Sequence, residues 1–196
     1  ARLTYADTAD VWRINVGLRR RKDPDLLGFV LDVDNGWWGK DSDEGEEPDP
    51  SPDFSGPRKR RVIPYVTDTR NCLVIDPVDP WTDAEMASVQ AALKMAIQTH
   101  FQLEDGELVA EPLPSSTRRR LLLFFEAAEE GAGVLRQLVA DPTILAEVAA
   151  AAIDLCHVDP VTGVDRGHTI DDGCQAACYR CLLSYTNQPD HPLLDR

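Results

Sequence analysis

Cys174-Gln-Ala-Ala-Cys178-Tyr-Arg-Cys181 is the stretch whose reading decides how this chain closes. Cys156 lies upstream of it, which gives the spacing Cys-x17-Cys-x3-Cys-x2-Cys. Three thiols so near in sequence can reach one point, and a fourth can close a tetrahedron from the preceding helix end. Zinc accepts four such ligands at about 2.3 Å from each sulfur, and a site with four protein ligands leaves no position for a substrate. Residues 157–173, between the first and second cysteine, are polar and carry few large apolar side chains. That segment cannot bury enough surface to order itself, so metal binding there acts as folding energy. The expected ligands are Cys156, Cys174, Cys178 and Cys181. Two other readings stay open: buried or disulfide-bonded cysteines, and an iron–sulfur cluster, which also takes four thiolates. His157, His168 and His191 are alternative ligands if Cys156 points away. Cys72, the fifth cysteine, stands alone in a predicted strand and reads as a plain buried thiol.

Working outward, the residues before Cys156 predict helices and strands that would carry the site. Asp141 as N-cap and Pro142 at the first helical position start an Ala-rich helix. Its Ile144, Leu145, Val148, Ala149, Ala152, Ile153 and Cys156 share a face. A shorter helix precedes it, from Val134. Leu121–Phe125 is a continuous apolar run, as in an interior strand buried on both faces. The Gly131-Ala132-Gly133 that follows has no Gly-Lys-Ser/Thr ending and no third glycine, so it reads as a tight turn rather than a phosphate loop. Thr82-Asp83-Ala84-Glu85 is a capping box for a helix from about Asp83 to Phe101, with His100 at its C-terminal end. Leu108–Leu113 predicts a short strand after the Asp105-Gly106 turn.

The N-terminal part reads as β-structure. Val11, Arg13, Asn15 and Gly17 alternate with Trp12, Ile14, Val16 and Leu18, and Leu26–Val33 is expected to pair back as a hairpin. Val62–Val66 and Cys72–Ile75 predict a second hairpin about Asp68-Thr69-Arg70-Asn71. The expected fold class is therefore α+β: a β-rich N-terminal part (1–80), then a mixed strand and helix part (81–196) closed by a four-cysteine zinc site.

Charge adds a further layer. The 196 residues hold 34 Asp+Glu and 20 Lys+Arg, a formal net charge of −14. Seven of those acids lie between Asp41 and Pro57, with no base among them and with Pro48, Pro50, Pro52 and Pro57. That composition predicts a solvated, disordered loop. The cations are also bunched: Arg19-Arg20-Arg21-Lys22, Arg58-Lys59-Arg60-Arg61 and Arg118-Arg119-Arg120 hold 11 of the 20. Each run can be a solvated turn, or the three can converge on a face that touches nucleic acid. Bulk charge opposes binding a polyanion, but screening over about 10 Å lets a local patch act on its own. No run approaches the ~18 apolar residues of a membrane span. With no apolar leader at the N-terminus, a cytoplasmic location is expected. A first residue Ala1 without Met suggests an excised piece of a longer chain.

The run from Asp171 through Cys174, Cys178, Cys181, Tyr185, Asn187, Gln188, His191 and Asp195 to Arg196 resembles the C-terminal zinc-binding domain of DEAD/DEAH-type superfamily-two helicases. That group includes mitomycin-repair helicases and components of the DISARM anti-phage system. Leu121–Val134 is similar to the family's strand and Gly-Ala-Gly turn, with Glu130 where a first glycine is usual. Arg13–Trp37, with Gly28-Phe29 and Gly36-Trp37, resembles its β-rich part. The acidic loop is outside the pattern. The resemblance implies zinc on Cys156, Cys174, Cys178 and Cys181. It also implies DNA contact through the parent protein, with the helicase core and a defence or repair subunit as partners and no membrane. No Walker A loop, Asp-Glu-Ala-His-like box or arginine-finger motif is present, so this piece is not expected to hydrolyse ATP. A docking module that never meets DNA is the rival function. A hydrolase built on Glu126, Glu129 or Glu130 lacks a metal cluster beside those acids.

Overall fold

The computed structural model describes residues 1–18, 23, 25–40, 59–128, 131–169 and 173–196. The acidic loop 41–57, the run Arg19–Lys22, Arg58, Glu129 and Glu130 lie outside the described residues. The elements run β1 (Arg2–Ile14), β2 (Phe29–Asp32), β3 (Lys59–Val62), β4 (Tyr65–Asp76), α1 (Asp83–Phe101), β5 (Leu108–Ser115), β6 (Arg118–Glu126), α2 (Val134–Ala140) and α3 (Pro142–Leu155). Two 3-10 turns follow, at Gly167–Thr169 and Gln188–Leu193. The fold is α+β, with the His/Cys cluster near the C-terminus. The chain divides into two compact units, 1–9 with 69–196, and 10–68.

In the first unit, β6 is an interior strand of a four-stranded sheet ordered β1-β4-β6-β5. It pairs antiparallel with both neighbours, Leu73 and Ala110 flanking Phe124 on either side. That is where the continuous apolar run belongs, because an interior strand has both ladders filled and little of it faces water. Leu73 and Ile75 from β4, Leu108 from β5 and Leu122 and Phe124 from β6 form one core with Met86, Ala96 and Ile97 of α1, Leu135 and Leu138 of α2 and Val148 of α3. The opposite side of α1 serves a second cluster, in which Ala87 is buried with Cys174, Cys181, Leu182 and Leu194. One helix thus supports both the sheet and the cysteine-bearing segment.

The helix starts are set by their caps. Thr82 Oγ1 accepts from the Glu85 N–H at 3.2 Å, while Glu85 accepts from the Thr82 N–H at 2.7 Å. Asp141 accepts from the Thr143 N–H at 2.8 Å ahead of Pro142. His100 faces Glu147 of α3 at 3.9 Å. Between β6 and α2, Gly131 and Gly133 take φ of 61° and 71°, which glycine adopts without strain. The turn folds over Glu126, whose 2%-exposed carboxylate accepts from Asn71 Nδ2 (3.0 Å) and the Gly133 and Leu135 N–H groups (3.2 and 3.1 Å).

Three β-strand expectations need correction. Leu26–Val33 does not pair with β1; β2 instead pairs antiparallel with β3, Phe29 opposite Val62 and Asp32 opposite Lys59. Asp68–Asn71 is not a turn: β4 passes straight through it, and Cys72 and Ile75 pair with Phe125 and Leu122. The polar residues there are tolerated because Thr69 faces solvent and Asn71 is consumed by Glu126. The alternating stretch 11–18 is strand only as far as Ile14, and its apolar side chains stay open to solvent. Trp12, Ile14, Val16 and Leu18 are all at least half exposed, with Trp12 stacked on Tyr65 at 4.9 Å.

Candidate metal centre

Helix α3 ends at Cys156, and the next residue, His157, adopts a left-handed φ of 62°. That turn feeds a small hairpin in which Val158 bridges Asp165. Asp159 fixes its tip by accepting from the Val161 and Thr162 N–H groups. The chain returns through Gly167, whose carbonyl accepts from the Cys174 N–H at 2.8 Å. At the far side a tight turn places the Cys181 N–H on the Cys178 carbonyl (3.0 Å) and the Cys178 N–H on Cys181 Sγ (3.0 Å).

These turns bring His157, Cys174, Cys178 and Cys181 together, with one donor atom from each within 4.8 Å of the others. His157 Nε2 lies 3.3 Å from Cys178 Sγ, and Cys174 Sγ lies 3.8 Å from Cys181 Sγ. A tetrahedral zinc with bonds of about 2.3 Å requires sulfurs about 3.8 Å apart, so the donor set fits the ion in kind and in spacing. All five cysteines are free, which removes the disulfide reading. Cys174 and Cys181 are buried, His157 and Cys178 half-buried.

The fourth member is therefore the imidazole of His157, where a fourth thiol was expected. Cys156 closes the helix and packs beside the other thiols, against the cluster that Ala87, Leu182 and Leu194 form with Cys174 and Cys181, and the left-handed residue after it swings the ring onto Cys178. His191 is engaged elsewhere, 3.0 Å from both the Ser184 carbonyl and Asn187 Oδ1, and His168 is exposed beside Asp165.

The thiols are electrically unequal. Burial pushes Cys181 up to about 12 and Cys156 up to about 11, and raises Cys174 as well. Burial would raise Cys178 too, but hydrogen bonds from His157, the Arg180 backbone, Cys181 and Cys174 outweigh it and bring the thiol down to about 7. Thiolates so costly to bury in pairs are stabilised by a divalent cation, whose binding releases their protons.

Residues 89–182 match the profile of the MrfA Zn-binding domain family. The matched stretch covers just under half of the chain. It begins inside α1, takes in β5, β6, α2 and α3, and ends one residue beyond Cys181, so the whole His/Cys cluster falls within it. No curated protein matches the chain. Among solved structures, the DUF1998 helicase MrfA bound to DNA is similar over 93% of this chain and 23% of its own, at 10% identity and a TM-score of 0.41. The chain thus spans about a quarter of that helicase's length.

Around the His/Cys cluster, the 187–196 tail makes hydrogen bonds that composition and spacing did not reveal. Asn187 accepts from the Ser184 N–H and donates to the Leu182 carbonyl, both at 2.8 Å. Asp195 donates its N–H to Ser88 Oγ on α1 at 2.8 Å. The cationic runs are not equivalent. Arg119, its side chain 1% exposed, donates to Asp190 of the tail at 2.5 Å, whereas Arg118 and Arg120 point outward from the same strand. Lys59 and Arg60 are exposed on β3, while half-buried Arg61 donates to the Leu27 and Gly28 carbonyls. The described cations of the second and third runs belong to different units. No helix among the described residues is long and apolar enough to cross a membrane.

Proposed function

We propose that the chain is the accessory zinc-binding part of a helicase-type nucleic-acid motor. His157, Cys174, Cys178 and Cys181 hold one structural zinc, and exposed cations contact DNA. The grouping of three thiols and an imidazole inside the matched stretch carries the reading. The metal links the end of α3 to the Cys174–Cys181 segment and closes a region that holds few large apolar side chains of its own. All four positions around it belong to the protein, so its work is structural rather than Lewis-acid chemistry on a substrate. ATP hydrolysis falls to the parent motor, since the sequence holds none of its motifs. A role in bacterial DNA repair or in DISARM-like anti-phage defence, in the cytoplasm, accords with the helicases this tail resembles.

Of the three cationic runs, the exposed described members are Arg118, Arg120, Lys59 and Arg60. Replacing Arg118 and Arg120 by Ala in the parent protein is expected to flatten log K against log salt by about 0.9 for each phosphate left without its cation. An unchanged slope removes β6 from the DNA face. A second reading is favoured by the exposed Trp12, Ile14, Val16 and Leu18, which suit a protein partner. No gel shift at low salt together with capture of a repair or defence subunit would establish it.

A further inference from the structure

Arg196 lies 15 positions after the last cysteine, yet its side chain, 5% exposed, lies between the two segments that carry the cluster. Nε donates to the Cys174 carbonyl at 3.1 Å, and Nη2 donates to the same oxygen at 2.7 Å. Nη1 donates to the Cys156 carbonyl at 3.4 Å. Asp165 receives Nη1 at 2.6 Å and Nη2 at 3.1 Å, a bidentate pair. A guanidinium has five N–H donors, and these five hydrogen bonds occupy all of them. The backbone is fixed too, with the Arg196 N–H on the Ala176 carbonyl at 3.0 Å. Gly167 leaves the space the group fills: a Cβ built there would stand 2.2 Å from Nη2 and 2.4 Å from Cζ.

We propose that Arg196 is the positioning residue of the zinc centre. One planar cation grips the carbonyl just ahead of His157 and the carbonyl of Cys174 itself, and so sets the separation of the α3 end from the Cys174–Cys181 segment. Asp165 orients the cation and balances its charge. Lysine cannot substitute, because a single ammonium offers three donors from one point and cannot span two carbonyls and a carboxylate. The role resembles that of outer groups around other metal sites, which hold ligand-bearing backbone rather than the ion. Arg196 does not touch the metal.

The inference rests on the ligand assignment above, and the experiment separates the two. The chain is titrated with zinc against a chromogenic chelator, and with Co2+ as a spectroscopic substitute. Loss of the zinc equivalent in His157→Ala and Cys178→Ser checks the ligands. Arg196→Lys and Gly167→Ala, which fills the cradle, are each expected to weaken zinc about 10–100-fold. Both are expected to shift or broaden the visible Co2+ bands, because the ligand geometry relaxes. Asp190→Asn is the control: it cuts the same tail loose from Arg119 and lowers thermal stability while leaving zinc affinity and the Co2+ spectrum at wild-type values. Wild-type zinc affinity in Arg196→Lys overturns the proposal, as does equal weakening in Asp190→Asn. If Arg196→Lys fails to fold, Gly167→Ala decides by the same readouts.

Discussion

Single residues separate what the one-letter sequence leaves identical. Arg118, Arg119 and Arg120 are three consecutive letters, but strand alternation sends the middle one inward to Asp190 and its neighbours to water. Arg119→Ala therefore leaves a half-buried carboxylate without its partner and is expected to cost about 3–5 kcal/mol in urea unfolding. Arg118→Ala is expected to stay within about 0.5 kcal/mol. Equal midpoints for the two would contradict the burial of Arg119. Glu126 offers a second case. The glycine turn beyond it has the outline of an anion-binding loop, but the protein's own carboxylate already accepts the N–H groups of Gly133 and Leu135. Glu126→Gln is expected to lose about 1.5–3 kcal/mol, read as a lower urea midpoint at constant slope. The sequence identified the turn as structural from its missing lysine and third glycine. It could not show that Glu126 turns inward to fill it, because the Asn71 amide that holds the carboxylate there is 55 residues away.

At the scale of elements, legibility follows how local the determining force is. The limits of α1 were readable because a capping box is written in four adjacent residues, and β6 because five apolar residues in a row have few other places to go. Pairing partners are another matter. The partner of β2 lies beyond the acidic loop, and no local signal distinguishes it from the nearer β1. The cap makes its own prediction. Thr82→Ala is expected to cost about 1 kcal/mol. Glu85 is held below its ordinary value by the Thr82 N–H it accepts, with the Thr82 hydroxyl adding to this. Its carboxylate therefore supports the first turn of α1 fully above pH 4.5, and the support is lost as pH falls through the depressed value. The protection factors of the Glu85 and Met86 amides, taken against the intrinsic exchange rate at each pH, are expected to fall on acidification in the wild type and to respond less in Glu85→Gln. Identical acid responses would exclude the cap as the cause.

In the unit formed by 1–9 and 69–196, the C-terminal part gathers a His/Cys cluster that differs by one residue from the four cysteines expected from sequence. Cysteine spacing identified three of the clustered groups, because thiols have few other reasons to crowd. The fourth depends on a single left-handed residue at the end of α3, and nothing in the letters Cys156-His157 says which of the two side chains the turn will present. Stripping zinc is expected to be severe for the unit that holds the cluster. At free zinc a thousandfold above Kd the metal contributes about 4 kcal/mol. For a chain of this size that is about 8–16 °C in melting temperature. A chelator that leaves the melting curve in place would refute the structural role. The placement of the tryptophans gives that experiment a built-in optical channel. Trp12, Trp37 and Trp38 all sit in the 10–68 unit and are exposed, whereas Trp81 is half-buried against the main core at the foot of α1. Three indoles already in water emit at long wavelength whatever the metal does, so a red shift on chelation is the signal of one fluorophore. Trp81→Phe should abolish that shift and make the fluorescence of the chain nearly blind to zinc.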